Sequence, residues 1–284
     1  MDIQTKTAAR EAAPLSADAI CTHAKALGAP DDIAEQAAAR IISGELVLLG
    51  VNGHLGSGKD TIAPAVLAAF GIDPDPDAGD ARHEYYAVPL KREIDTVVLP
   101  ALTVATDPFD ASQRLMHDAS IPPHQAQQIV ARMWDHTRPG HRLHARVRTP
   151  EMRWLLQYWG TDVRRNQNDL YWVSKALLSA LEGIADGKHV YVTDMRFPNE
   201  VEAARKLGFH TVRLDVSLDT QWERVLARDP DVDYDAFIAS TRHASETALD
   251  DYDGFDQRLD NNGPLEPTVT AIVAAISARR TASS

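Results

Sequence analysis

The sequence predicts an α/β fold, a three-layer α/β/α arrangement in which helices cover both faces of a mostly parallel sheet. Two observations support this prediction. Apolar runs typical of buried strands, such as Leu46 to Val51 and His189 to Asp194, alternate with segments of helical periodicity. With 284 residues, of which 44% are hydrophobic, the chain can also bury a substantial core. We expect one large domain at residues 45–278, with helical insertions and a helical N-terminal extension.

The extension is predicted at residues 1–44. Ser16 can cap a helix that runs through Leu27, and Asp31 or Asp32 can cap a second helix through Ile42. Such an extension could cover a sheet edge, bind a partner or simply pack against the domain. At the other end of the chain, residues 279–284 are expected to form a flexible tail.

A glycine-rich segment follows the first predicted strand and precedes a helix-compatible segment. It has the spacing Gly-x4-Gly-Lys, and its candidate residues are Gly53, Gly56, Ser57, Gly58, Lys59, Asp60 and Thr61. Glycines allow backbone N–H groups to turn towards an anion, and a helix N-terminus adds partial positive charge at the same point. The segment therefore predicts a phosphate-binding loop (P-loop), in which Lys59 would reach the β- and γ-phosphates of a nucleotide. A glycine-rich turn without a nucleotide is the alternative.

A second strand is predicted at His83 to Val88, after which Pro89 opens a helix with Lys91 in its first turns. A cation near a helix N-terminus is unfavourable because it opposes the helix dipole. A phosphate bound near Lys91 would explain its presence there. The alternative is a lysine that extends from an ordinary helix surface.

A further helix is predicted from a cap at Thr149 to a stop at Gly160. Arg153 and Gln157 are four residues apart and share one face of it. With the residues that follow Gly160, they could line a pocket for a phosphate and a base, although the apolar residues between them could equally form core. The candidates in this insertion, which we place at about residues 89–168, are Lys91, Arg153, Gln157, Thr161 and Asp162.

The strand that starts at His189 ends in the carboxylate Asp194, and Arg196 follows two residues later. Ligands of open parallel sheets bind at the carboxyl ends of the strands, so both side chains are expected to face the P-loop. Asp194 would then direct Mg²⁺, by itself or through water. The alternative is that Asp194 caps the next helix, and whether Asp60 or Thr61 also contacts magnesium stays open.

The C-terminal part is predicted to contain a lid and the last strand of the sheet. Arg224 and Arg228 lie on one side of a helix in the lid region, at about residues 219–246, where they could bind phosphate or pair with acidic neighbours. A strand at Gln257 to Asp260, a tight turn at 261–263 and a helix at Leu265 to Ser277 follow.

The net charge of −12 argues against general binding of nucleic-acid backbones. The segment from Arg132 to Arg165 is locally basic, which suits a small phosphorylated ligand or a solvated face. The single cysteine, Cys21, excludes an intramolecular disulfide, and the sequence has neither an apolar signal core nor a run of about 18 apolar residues. We expect a cytoplasmic protein without a membrane partner.

Five segments in this order resemble the bacteriophage deoxynucleoside monophosphate kinases, within the P-loop nucleoside monophosphate kinases. They are GSGKDT at 56–61, AVPLK at 87–91, WGTDV with DLYWV at 159–173, TDMRFPNEVEAARKLG at 193–208, and HASET with DNNGPLE at 243–266. The GKDT sequence is itself similar to that family. Residues 1–44 and the proline-rich region 107–148 are not covered.

The resemblance implies transfer of the γ-phosphoryl group from ATP to a deoxynucleoside 5′-monophosphate (dNMP), which could be a modified one. It implies that residues 56–61 hold ATP, that Lys59 stabilises the transferring group with help from an arginine, and that Lys91, Arg153 and Asp162 lie near the acceptor. Asn262 and Gly263 would lie next to the adenine of ATP. ATP and Mg²⁺ are therefore the expected cofactors, with a homodimer left open.

Three alternatives to this activity remain. The strand that ends in Asn-Asn-Gly also resembles dephospho-coenzyme A kinase, and a kinase acting on a modified base in DNA is a second option. A protein that senses ATP without transferring phosphate is the third.

Overall fold

The computed structural model describes residues 15–75, 77–137, 144–147, 149–242 and 244–282. The chain forms two compact units. The first comprises Met1–Tyr85 and Ala176–Ser284, and the second comprises Tyr86–Lys175. The second unit is thus inserted between the second and third strands of the first, a few residues beyond each end of the insertion that the sequence predicts.

The first unit contains a five-stranded parallel sheet with the strand order β2-β3-β1-β4-β5. The strands are β1 Leu48–Gly53, β2 Ala81–Glu84, β3 His189–Val192, β4 His210–Asp215 and β5 Gln257–Asp260. Since every pair is parallel, the carboxyl ends of all five strands lie at one edge of the sheet. The α/β fold class predicted from the sequence is confirmed.

Helices account for most of the remaining described chain. In chain order the α-helices are α1 Ala17–Ala26, α2 Asp31–Ser43, α3 Lys59–Ala69, α4 Ala87–Glu93, α5 Leu99–Val104, α6 Pro108–Asp118, α7 Pro123–Met133, α8 Pro150–Gln157, α9 Tyr171–Ala185, α10 Pro198–Lys206, α11 Leu218–Arg228, α12 Tyr234–Thr241, α13 Ala244–Thr247 and α14 Leu265–Ala282. π-Helical segments at Ile94–Val98 and Tyr158–Arg165 and a 3₁₀ turn at Trp134–Thr137 complete them. No helix within the described ranges combines the length and apolarity needed to cross a bilayer.

One face of the sheet packs against α3 and α14. Leu49 of β1, Ile62 and Leu67 of α3, and Ile272 of α14 are fully buried in one apolar cluster on this side. On the other face, α9 packs against β3, since a Cβ added at Gly183 would lie in ordinary van der Waals contact with Val190, 3.7 Å away. Helices therefore cover both faces, as expected for three layers.

The described part of the N-terminal extension packs against the helices of the first unit. In α1, His23 Nε2 lies 3.2 Å from the carbonyl oxygen of Ala203 in α10. In α2, Arg40 Nε donates to the carbonyl of Ala185 at the end of α9. Ser16 caps α1, as predicted, but the N-cap of α2 is Pro30, so the predicted cap at Asp31 or Asp32 is wrong. Residues 1–14 lie outside the described residues.

The second unit has its own helical core. Ile94, Leu102, Leu115, Ile129 and Trp159 are all fully buried in it. The core draws on α4 to α8 and on both π-helical segments.

The structure corrects four predicted element bounds. The second strand ends at Glu84 instead of Val88, and Pro89 lies inside a helix that begins at Ala87. Gly160 does not stop a helix, because a π-helical segment continues to Arg165. The absence of a side chain at Gly160 instead leaves room for Leu90, whose Cδ2 would lie 3.2 Å from an added Cβ. The last helix reaches Ala282, so residues 279–282, predicted as a flexible tail, are helical.

Candidate functional site

The predicted phosphate-binding loop joins the carboxyl end of β1 to the amino end of α3. Gly58 is the N-cap of α3, and its carbonyl accepts the N–H groups of Thr61 and Ile62, both at 2.9 Å. Gly56 and Gly58 have φ angles of +80° and +87°, in the left-handed region that favours glycine. The backbone thus has the local conformation that the glycine spacing requires.

Close packing also demands glycine in this loop. A Cβ at Gly56 would lie 2.7 Å from the carbonyl oxygen of Gln221, and one at Gly53 would lie 2.7 Å from Ser57 Cβ. Ser57 is fully buried, and its hydroxyl has no hydrogen-bond partner among the described residues. A buried hydroxyl without a partner costs free energy, which a ligand able to accept its proton would recover.

Four charged side chains surround a small cavity beside the loop. The cavity has a volume of about 10 Å³, room for about one water molecule, and is lined by Asn52, Gly53, Lys59, Asp194, Met195, Arg196 and Glu246. Because β1 and β3 are parallel neighbours, the loop after β1 and Asp194 after β3 reach the same edge. The structure therefore brings Lys59, Asp194 and Arg196 together, as the sequence analysis expected.

The charges in this cluster act on Lys59 in both directions. Burial lowers the pKa of Lys59, and the nearby Arg196 charge lowers it further. The carboxylates of Asp60, Glu246 and Asp194 oppose that change. An ammonium group that is desolvated in this way is stabilised by any anion that enters the cavity.

Arg196 and Asp194 are positioned by the segment between β3 and α10. The N–H groups of Arg196 and Phe197 both donate to the buried carboxylate of Glu200, at 2.6 and 3.2 Å, which fixes the backbone there. The Arg196 guanidinium forms an ion pair with Glu246 of α13. Phe197, and not Asp194, is the N-cap of α10, so the alternative role of Asp194 as a helix cap is wrong.

An aromatic group lies at the ends of β2 and β3. The His83 ring stacks on the Tyr191 ring, with centroids 4.0 Å apart, and contacts the tilted Tyr85 ring, with centroids 3.9 Å apart. His83 Nε2 lies 3.0 Å from the Thr193 hydroxyl, next to Asp194. Burial lowers the pKa of His83 to about 4 and raises that of Tyr85 to about 12, so both side chains are neutral at pH 7.

Two residues hold the back of the loop, a role that the sequence analysis did not predict for either of them. Asn261 Nδ2 donates to the carbonyl of Ser57 at 2.8 Å, and Arg224 donates to the carbonyl of Asn261 at 2.8 Å. Longer contacts of 3.4 and 3.5 Å join Arg224 to the carbonyls of Gly56 and Ser57. Arg224, predicted in a lid, therefore braces the P-loop in this structure.

The two predicted adenine neighbours lie one and two residues beyond this contact. Asn262 is exposed, and its amide accepts from Ser217 N and donates to Asp260, each at 2.8 Å. Gly263 has open space where a side chain would be. The role of Asn262 and Gly263 as adenine contacts thus stays a prediction. Of these three neighbouring residues, it is Asn261 that bonds the P-loop backbone.

A buried arginine ties the first residues of the loop to β4. Arg213 is 2% exposed; it hydrogen-bonds Asn52 and lies 2.8 Å from His54 Nε2 and 2.7 Å from Asp250. Asn52 in turn donates to the carbonyl of Met195 at 2.5 Å. This network is formed by residues far apart in the chain, so the local sequence pattern does not predict it.

The predicted acceptor-binding residues all belong to the second unit. Arg153, Gln157, Thr161 and Asp162 are exposed on α8 and the π-helical segment that follows it, and Lys91 on α4 is partly exposed. Thr149 caps α8 by accepting from Met152 N at 3.2 Å, as predicted. Arg138, Arg142 and Arg148 of the basic segment, and His243 of the HASET motif, lie outside the described residues.

The second unit also contains a groove of about 540 Å³ between α6 and α7. Its lining is Pro108, Phe109, Ser112, Gln113, Met116, Pro123, Gln127, Val130 and Ala131. It includes neither a charged side chain nor a predicted site residue. The groove therefore does not suit a phosphorylated ligand, in spite of its size.

Comparisons with known proteins assign neither a family nor an activity. No family model matches the sequence. Uncharacterized protein ORF77 of Ictalurid herpesvirus 1 (strain Auburn) is 33% identical over 107 residues, which are 37% of this chain, and the chain spans only 40% of the length of that relative. Among solved structures, the crystal structure of TT1252 from Thermus thermophilus matches with a TM-score of 0.38 and 19% identity over 81% of this chain and 97% of that one.

Proposed function

We propose that this protein is a phosphotransferase that moves the γ-phosphoryl group of ATP to a deoxynucleoside 5′-monophosphate. The observation that carries the proposal is the P-loop itself, with Lys59 at the start of α3 and with Asp194 and Arg196 beside it at the edge of the sheet. Phosphoryl transfer depends mainly on positioning and on neutralising negative charge, which these groups can supply.

The loop residues fit the triphosphate of ATP. The left-handed glycines, the amino end of α3 and the Ser57 hydroxyl, which has no hydrogen-bond partner among the described residues, offer donors to phosphate oxygens. Lys59 and Arg196 offer positive charge. A phosphate is larger than the present cavity, so we expect the Arg196 ion pair with Glu246 to open when ATP binds.

Asp194 fits the role of a magnesium ligand, since a carboxylate next to bound phosphates is a usual site for this ion. Bound Mg²⁺ would neutralise charge on the phosphate oxygens. Asp60 and Thr61 are exposed in the first turn of α3. Either of them could help to hold the ion.

A dNMP is the acceptor that the five matching segments favour. Its phosphate is already an anionic nucleophile at neutral pH, so the site needs no strong general base. The exposed face formed by Arg153, Gln157, Thr161 and Asp162 carries groups suited to a phosphate and a base. A kinase with these substrates would work in the cytoplasm, where nucleotides and ATP are available.

A substrate panel tests this function. Purified protein with ATP and Mg²⁺ is offered each dNMP, modified dNMPs, dephospho-coenzyme A and DNA with modified bases, and ADP formation is measured. We expect ADP with at least one dNMP, and a fall of about 10³-fold or more in Lys59→Ala, because Lys59 neutralises the transferring group. Lys188→Ala is the matched control, since Lys188 precedes β3 at the opposite edge of the sheet.

Each other outcome overturns a defined part of the proposal. Turnover only with dephospho-coenzyme A or DNA would replace the acceptor class. Tight ATP binding without ADP formation on any acceptor would indicate a regulator instead of an enzyme. Full activity of folded Lys59→Ala, with folding checked by circular dichroism, would move the active site away from the P-loop.

A further inference from the structure

Asn261 lies directly behind the P-loop and contacts its backbone. The residue is 3% exposed, and its Nδ2 atom donates to the carbonyl oxygen of Ser57 at 2.8 Å. A Cβ added at Gly58 would approach the same Nδ2 atom to 3.1 Å. The carboxamide is therefore packed against the peptide unit that links Ser57 to Gly58.

The direction of that peptide unit follows from this hydrogen bond. In a trans peptide the C=O and the following N–H point in opposite directions, and the structure describes no cis peptide. Because the Ser57 carbonyl points to Asn261, the N–H of Gly58 points away from it. By holding the Ser57 carbonyl, Asn261 therefore also fixes the direction of the Gly58 N–H, which is one of the donors that the loop can offer to a ligand.

Asn261 is itself held from both ends. Its Oδ1 accepts the hydroxyl of Thr268 at 2.9 Å, which determines which way the amide faces and leaves Nδ2 as the donor to Ser57. Its backbone carbonyl accepts from Arg224, and its backbone N–H donates to the carbonyl of Asp215 at 2.9 Å. A residue held in this way by its side chain and its backbone can keep the loop in one conformation before any ligand arrives.

We infer that Asn261 is a positioning residue, which presets the Ser57–Gly58 peptide so that the loop binds phosphate without rearranging. The inference rests on the proposed function, because it concerns the same loop. It differs from an adenine contact in a way that can be measured. Asn261 acts on the phosphate site, so its loss should weaken binding of ATP and of inorganic tripolyphosphate alike.

The test measures both dissociation constants by calorimetry, together with kcat and KM for ATP. Asn261→Ala and Asn261→Leu remove the donor, and leucine keeps most of the side-chain volume. We expect both variants to bind ATP and tripolyphosphate about tenfold more weakly, the upper range for one neutral hydrogen bond. Thr268→Val, which frees the amide without removing it, should show a smaller loss of about threefold.

Gln257→Ala is the matched control. Gln257 is a carboxamide at the start of β5, and it donates to the carbonyl of Ala271 in the same way that Asn261 donates to Ser57. Its removal should lower the melting temperature but leave both dissociation constants unchanged. Melting temperatures and circular dichroism of every variant show whether it is folded.

The outcomes separate this inference from the proposed function. If the wild type binds neither ATP nor tripolyphosphate, the proposed function fails and the inference fails with it. If the wild type binds both and the folded Asn261 variants bind equally well, only the inference fails. A loss confined to ATP, a loss with Asn261→Ala but not with Asn261→Leu, or an equal loss with Gln257→Ala would each overturn the positioning role.

Discussion

The two units differ in how their arginines are bonded. In the first unit, the arginines near the loop are bonded to backbone carbonyls or carboxylates, as Arg224 is to Asn261 and Arg213 to Asp250. In the second unit, the predicted ligand residue Arg153 is exposed, while Arg164, eleven residues later, is buried. A count of arginines in a basic segment therefore says little about which of them are available to a ligand.

Burial decides which role an arginine of the second unit can take. Arg164 donates to Glu93 at 2.6 Å, and Tyr171 donates to the same carboxylate at 2.7 Å. The Arg164 guanidinium also lies over the Trp159 ring, 4.7 Å from its centroid. This arginine is committed to the core, whereas Arg153 can reach solvent.

The largest effect is expected from breaking the buried pair. Arg164→Ala leaves the buried Glu93 carboxylate without its strongest partner, which should lower the free energy of unfolding by about 3–5 kcal/mol. Arg114→Ala is the matched control, because Arg114 pairs with Asp110 on the partly exposed surface of α6 and its loss should cost about 0.5 kcal/mol. Urea unfolding followed by tryptophan fluorescence measures both changes, and similar values for the two variants would contradict the assigned difference.

The sequence predicts elements better than it predicts contacts. The parallel sheet, the loop between β1 and α3 and the cap at Thr149 follow from local periodicity and spacing, and the structure has them. The pairing of Arg164 with Glu93 joins residues 71 positions apart, so no local pattern contains it. The same limit applies to Arg224, whose helix was predicted but whose contacts depend on how β4 and β5 align.

A one-residue shift explains the missed role of Asn261. The sequence shows two adjacent asparagines after the last strand, and the family resemblance favours Asn262. The strand register places Asn261 inwards, bonded to the carbonyl of Asp215, and turns Asn262 outwards. Which of two neighbours is buried depends on where the strand ends, and that is set by pairing with β4 instead of by the sequence of the turn.

A second, intermediate effect should come from the exposed arginine. If Arg153 binds the acceptor phosphate, Arg153→Ala should raise KM for the dNMP about 10- to 100-fold, since a charge-assisted hydrogen bond is worth about 1.5–3 kcal/mol. The free energy of unfolding should stay within about 0.5 kcal/mol of the wild-type value, as is usual for exposed positions. Steady-state kinetics with Arg114→Ala as control measure the effect. An unchanged KM would remove Arg153 from the acceptor site.

The last effect is expected from a titratable group of the first unit and depends on pH. The pKa of His83 is lowered from 6.5 to about 4 by burial, so the unfolded chain binds the proton more tightly than the folded one between these values. Stability should therefore fall as the pH falls from about 6.5 to about 4.

His83→Gln, which keeps a polar side chain near the Thr193 hydroxyl but does not titrate, should lower the melting temperature at pH 7 and flatten its pH dependence in that window. Since His23, His189 and His210 also have lowered pKa values, part of the slope should persist in the variant. An identical slope in wild type and variant would show that His83 is not kept neutral by the fold.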